Sequence, residues 1–168
     1  MIYPLRRLRE KGIEAVGLFY NPNIHPLGEY KNRKQALEAY SKSADIEVFY
    51  PDYQPQEFFR AVHMMEGKKE RCPICWYQRL KITAQLGREK GFDYFSTTLL
   101  ASPYQDQESL KKIGEDISET EGISFYYEDF RPGFRQAHEE AHKEGIYCQG
   151  YCGCIYSEIE RCRKSAKA

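Results

Sequence analysis

Short apolar runs alternate along this chain with longer, polar, helix-like segments. Residues Glu14 to Tyr20 and Phe92 to Leu100 are rich in β-branched and aromatic side chains and are bounded by Gly or Pro, the pattern of buried parallel strands. Ile46 to Tyr50 and Ile123 to Tyr127 are weaker runs of the same kind. Between them, residues 28–43, 55–65, 74–90, 106–120 and 132–144 have helical patterning. Strands alternating with helices, with no internal repeat, predict an α/β fold: a mostly parallel sheet with flanking helices. A length of 168 residues is enough for one core, so a single domain over 1–168 is expected.

The loops after the first, third and fourth strands are polar and carry proline, as in Asn21 to Pro26, Ala101 to Gln105 and Glu128 to Gly133. Open α/β sheets bind ligands at the carboxyl ends of their strands, so these loops are expected to face one site. Ahead of the first strand, Leu5 to Gly12 reads as an amphipathic helix ended by glycine. A helix leading into a buried parallel strand ordinarily follows another strand, so the expectation is that a first strand and its loop are missing.

Charge changes the picture only locally. Lys+Arg and Asp+Glu both number 25, but Gly67 to Lys90 holds seven basic residues against two acidic ones. Such a patch suits phosphate contacts, and it also suits a solvated helix face. No apolar run reaches the ~20 residues of a membrane helix, and no leader pattern opens the chain, so a cytoplasmic protein is expected. Apart from the Lys/Arg/Ala tail, no segment is of low complexity.

In a reducing compartment the six cysteines point to metal or redox chemistry rather than to a disulfide framework. Cys72 and Cys75 form a C-x-x-C pair, expected in a turn and with thiol pKa values lowered by neighbouring Arg and Lys. Cys148 lies 73 residues beyond Cys75 and is followed by the Cys152-Gly153-Cys154 pair. Four thiolates from the two pairs suit zinc or an iron–sulfur cluster, and Cys152 and Cys154 alternatively cycle between dithiol and disulfide. Cys148 is near enough to replace a member of either pair, and Cys162 is read as a bystander in a basic C-terminal helix. His25, between Pro22 and Pro26, suits a metal, a phosphate or a structural turn. His63, His138 and His142 fall on predicted helices, and no H-E-x-x-H zinc pattern is expected among them. Walker A, G-x-G-x-x-G and G-x-S-x-G patterns are absent, which disfavours nucleotide hydrolysis, dinucleotide chemistry and serine hydrolysis.

Several stretches taken in order carry a resemblance: Gly17 to Pro26, Glu29-Tyr30, Arg71 to Leu80, Phe95 to Pro103, Tyr127 to Arg131, and Tyr151 to Ser157. Together they resemble the QueH family of epoxyqueuosine reductases, over about residues 13 to 157. The resemblance implies an adenine-nucleotide-hydrolase-like α/β fold and a cobalamin-independent enzyme with a 4Fe-4S cluster. It implies reduction of the epoxide of epoxyqueuosine to the alkene of queuosine at the wobble position of tRNAs with G-U-N anticodons. Cys72 and Cys75 match the family's cluster ligands. Cys152 and Cys154 match its C-G-C, a redox-active disulfide pair or ligands of a further metal ion. The chain departs from the family where a first strand ends in adjacent cysteines, other ligands of the cluster. A mis-assigned start or an inactive truncated form would account for that. Completing a four-thiolate cluster here would then take Cys152 and Cys154.

On this reading Cys72 and Cys75 hold the electron source, and an electron donor of unknown identity feeds it. Asp129, Tyr127 or Tyr151 supplies a proton, and Arg71, Arg79 and Lys81 meet tRNA phosphates. Tyr77 or Trp76 stacks on an anticodon base, with a place in the helix core as the plainer role for Trp76. The competing readings are a non-catalytic, zinc-stabilised tRNA-binding module and a C-x-x-C thiol oxidoreductase, the latter disfavoured by the absence of a thioredoxin-like pattern.

Overall fold

The β-branched and aromatic runs do form strands, and a helix carries the chain from each strand to its neighbour. The computed structural model describes residues 1–165. In chain order the elements are α1 (Ile2–Glu10), β1 (Gly17–Leu18), α2 (Leu27–Ser43), β2 (Val48–Phe49), α3 (Pro55–Ala61), α4 (Lys68–Glu89), β3 (Tyr94–Phe95), α5 (Gln107–Glu121), β4 (Ser124–Phe125), α6 (Phe134–Lys143) and α7 (Ile155–Ser165). Turns of 3-10 helix at Thr98–Ala101 and Arg131–Gly133 punctuate the loops after β3 and before α6. Ala166 to Ala168, the end of the Lys/Arg/Ala tail and of the expected domain, lie outside the described residues.

The fold is α/β, and its strands are parallel. The expected single sheet is corrected to two two-stranded sheets. β1 pairs β2 with Gly17 opposite Val48, and β3 pairs β4 with Tyr94 opposite Ser124. Each ladder continues a little beyond its strands, through Phe19 N–H to the Phe49 carbonyl (2.9 Å) and Tyr126 N–H to the Phe95 carbonyl (2.8 Å). A strand runs only as far as it finds partners. Among the described residues β1 and β3 are each paired on one side, and residues 14–21 and 91–99 line an intervening cleft.

The larger core lies where α4 and α5 pack on the second sheet. Trp76, Leu80 and Ala84 repeat at four-residue spacing on α4 and meet Leu110 and Ile117 of α5, Phe95 of β3 and Phe130. Leu80, Leu110 and Ile117 are fully buried, each contributing roughly 1.5–3 kcal/mol of hydrophobic stabilisation. Gly114 lets α5 sit on the Phe125 ring, since a Cβ there would lie 2.4 Å from the ring. Trp76 takes the plainer of its two roles, 8 % exposed with its indole N–H donating to Gln105 (3.1 Å). A second cluster joins Phe19, Ile24 and Tyr30, and a third joins Phe58, Val62 and Cys154.

One boundary moves the chemistry. α4 begins at Lys68 rather than 74 and carries Pro73 in its second turn, so the C-x-x-C pair lies on a helix and not in a turn. Proline this near the start removes one backbone hydrogen bond. Arg71, in the same turn, ties it down by pairing with Glu160 of α7 (2.7 Å) and donating to the Glu66 carbonyl (2.7 Å). Positions i and i+3 share a helix face, which places Cys72 beside Cys75.

Candidate active site

The paired cysteines meet where the first half of α4 faces the turn into α7. Cys72 and Cys75 are half-buried, Cys152 is exposed and Cys154 is buried against Phe58, Val62 and Cys75. Cys152 lies close enough to both α4 thiols to affect their ionisation, and all four sulfurs line the cleft between the two βαβ units. None of the four is disulfide-bonded. The cleft has a volume of about 2250 Å³, well above the ~300–1,000 Å³ of a small-ligand pocket.

The electrostatics separate the two pairs. Burial raises Cys72 despite Arg71 and Lys68, and raises Cys75 to about 11 although Arg79 donates a hydrogen bond to it. The expectation that basic neighbours lower these thiols is therefore corrected, because loss of water outweighs them. Cys152 is shifted the other way. Its thiolate accepts hydrogen bonds from the Cys154 thiol, the Ser157 hydroxyl and the Cys154 backbone N–H at the start of α7. Cys154 is correspondingly raised, chiefly by donating to Cys152. The C-G-C pair thus holds one thiolate and one thiol in contact. Four neighbouring sulfurs, three of them disfavoured as thiolates until a cation compensates their charge, fit a soft metal or an iron–sulfur cluster.

The loop that presents Cys152 is clamped by α2. Glu29 and Arg33 form a buried ion pair (2.7 Å), with side chains 9 % and 8 % exposed. Arg33 also donates to the carbonyls of Tyr151 (3.0 Å) and Cys152 (3.1 Å) and lies over the Tyr151 ring. Tyr147 donates its hydroxyl to Glu29, and Tyr151 donates its hydroxyl to the His25 carbonyl. His25 N–H donates to the Gly153 carbonyl (2.8 Å). The His25 ring is buried against Phe58 and Phe59, with centroids at 5.5 and 4.5 Å.

The remaining expected residues divide by position. Arg79 lines the cleft beside Cys75 and Cys152, with Lys68 and Lys69 nearby on its wall. Arg71 is 3 % exposed and turned inward to Glu160 and Tyr156. Tyr77 and Lys81 are stacked on each other outside the cleft lining. Asp129 is held by Arg131 through both carboxylate oxygens (2.8 and 2.6 Å), which lowers its pKa, and neither it nor Tyr127 lines the cleft. Tyr151 does line it, with its hydroxyl pushed up to about 12 mainly by burial. Cys162 is exposed on α7. Of the strand-end loops, those after β1 and β3 reach the cleft, and Phe130 reaches it from the loop after β4.

Comparison with known proteins bears on this arrangement. The family model described as epoxyqueuosine reductase QueH matches residues 1–160. The epoxyqueuosine reductase QueH of Thermotoga maritima is 38% identical over 163 residues, covering 92% of this chain and 84% of that protein. Its counterpart in Dehalococcoides mccartyi is 34% identical over 161 residues, covering 95% and 87%. The chain belongs to the QueH family of epoxyqueuosine reductases.

In this QueH chain, two features go beyond what the sequence predicts. The Glu29–Arg33 clamp is visible as an i,i+4 acid–base pair, but its targets lie more than a hundred residues away and only the fold shows them. The other is a plain correction. His138-Glu139-Glu140-Ala141-His142 does conform to H-E-x-x-H, against the expectation that these histidines show no such pattern. Among the described residues no helix is long and apolar enough to cross a membrane.

Proposed function

We propose that this chain reduces the epoxide of epoxyqueuosine to the alkene of queuosine at the wobble position of tRNAs with G-U-N anticodons. The observation that carries the reading is the meeting of Cys72, Cys75 and the Cys152–Cys154 pair in one large, open cleft. Cys72 and Cys75 would hold a 4Fe-4S cluster together with further ligands. A cluster supplies low-potential electrons one at a time from an external donor.

Epoxide-to-alkene conversion takes two electrons and two protons and releases water. Oxidation of the Cys152 thiolate and Cys154 thiol to a disulfide releases two electrons and one proton; with the second proton drawn from water, the pair can balance one turnover before a donor reduces it again. Cys152 is the thiolate of the pair, and Cys154 Sγ holds the proton. The clamp from Arg33 fixes the Cys152 backbone while its sulfur reacts. Arg79, Lys68 and Lys69 on the wall suit tRNA phosphates, and the exposed Tyr77 ring suits stacking on a base beyond the rim.

The test is anaerobic purification of the chain, and of a form extended upstream, with iron, sulfide and zinc analysis and a visible spectrum. Cys72→Ser should lose both the brown colour and the reduction of epoxyqueuosine in tRNA. Retained reduction in that variant would refute the assignment, and zinc without sulfide would favour the non-catalytic tRNA-binding module.

A further inference from the structure

Away from the paired cysteines, α6 and the loop that follows it bring three soft donors together. His138 and His142 lie one turn apart on α6, with ring centroids 4.5 Å apart. After the helix the chain folds back: Gly145 N–H donates to the His142 carbonyl (3.1 Å) and Ile146 N–H to the Ala141 carbonyl (2.8 Å). That turn lays residues 146–148 over the last turn of α6. The ligand atoms of His138, His142 and Cys148 consequently all lie within 4.8 Å of one another. The Cys148 thiol donates a hydrogen bond to the Ile146 carbonyl (3.4 Å), a weak S–H bond that a metal would replace.

The geometry points to a site for a zinc-class divalent cation held by His138, His142 and Cys148. Bond lengths of ~2.0–2.3 Å to nitrogen and sulfur put tetrahedral ligand atoms ~3.3–3.7 Å apart, so side-chain rotation of about an ångström closes the cage. Both histidines are exposed, and the contact to give up is the stacking of His138 on Phe134 (centroids 6.0 Å apart). Two imidazoles and a thiolate select zinc over magnesium or calcium, which take oxygen ligands. Three protein ligands leave a fourth position for water.

The glutamates of the motif argue against a hydrolytic role. Glu139, placed where zinc peptidases keep their general base, pairs with Arg135 (3.0 Å), and Glu140 binds Arg6 of α1 (2.7 Å). The site instead pins Cys148 to α6, four residues before Cys152. Zinc there restrains the segment that carries the reactive thiolate, a function separate from the reductive centre and independent of its cofactor.

Zn²⁺ and Co²⁺ titration of the purified holoprotein tests this, comparing the wild type with His142→Gln and Cys148→Ser. Both changes are at sites without buried packing roles, so folding is preserved, and circular dichroism checks it. The wild type should bind one more equivalent of Zn²⁺ than either variant. Co²⁺ should give a thiolate charge-transfer absorption that Cys148→Ser removes, and zinc should slow amide exchange over residues 146–152 in the wild type alone. Equal stoichiometry in all three proteins, or an extra equivalent that survives Cys148→Ser, overturns the assignment. The readout is metal content and exchange, so it stands or falls apart from reductase activity.

Discussion

Replacing Arg33 by Met keeps most of the side chain's bulk and removes its charge. In the folded protein that leaves the Glu29 carboxylate buried with the Tyr147 hydroxyl as its remaining partner, and takes the Arg33 donors from the Tyr151 and Cys152 carbonyls. Breaking a buried pair from one side costs about 3–5 kcal/mol, because an uncompensated charge stays behind. Against a total stability of about 5–15 kcal/mol, that is a large fraction. With a urea m-value of about 2 kcal/mol/M, the unfolding midpoint should fall by about 2 M. The double variant Glu29→Leu with Arg33→Met removes the stranded charge and should regain part of the loss. Anaerobic urea unfolding and amide exchange over residues 150–154 measure both effects. A loss under about 1 kcal/mol in Arg33→Met, with exchange unchanged, would refute the clamp.

Three further outcomes follow from the same contacts. Gly153 has φ of +108°, and a Cβ there would lie 2.8 Å from Ile24 and 3.0 Å from Arg33, so Gly153→Ala should cost about 1–3 kcal/mol and lower reduction of epoxyqueuosine; unchanged stability and turnover would be contrary evidence. Phe58, fully buried against Cys154, should cost about 3–5 kcal/mol as Phe58→Ala and much less as Phe58→Leu, measured by thermal unfolding. Burial lowers the His25 pKa below its ordinary 6.5, so the unfolded chain binds more protons between the two values. Stability from this group is therefore full above pH 6.5 and is lost as pH falls toward the folded value. Urea unfolding at several pH values should show a steeper acid loss in the wild type than in His25→Phe, and parallel slopes would count against it.

What was readable along the chain was local. The Gly17-Leu18 and Tyr94-Phe95 strands announce themselves by apolar runs, and the helices between them by period. Division into two sheets depends on which edges find partners, which no single run encodes. The pattern starts α4 at 74 because Pro73 is a helix breaker in isolation, whereas in the fold the Arg71–Glu160 tie supports the turn around it. Spacing likewise did not show Cys152 beside Cys75, or that burial of the α4 thiols would outweigh their basic neighbours. The H-E-x-x-H spacing was fully legible, and what the fold adds is the turn that swings Cys148 over it.

The thiols of the cleft come from two places in the chain, α4 and the turn into α7, with some 77 residues between Cys75 and Cys152. During synthesis the first pair leaves the ribosome well before the second, which follows some 77 residues later. Closing so long a loop costs little more entropy than closing a shorter one, but it delays every contact that depends on it. The four-thiol cluster therefore cannot assemble until the turn into α7 has been made. A nascent chain holds Cys72 and Cys75 without Cys152 and Cys154, so any metal bound by all four thiols is a question of timing as well as of affinity.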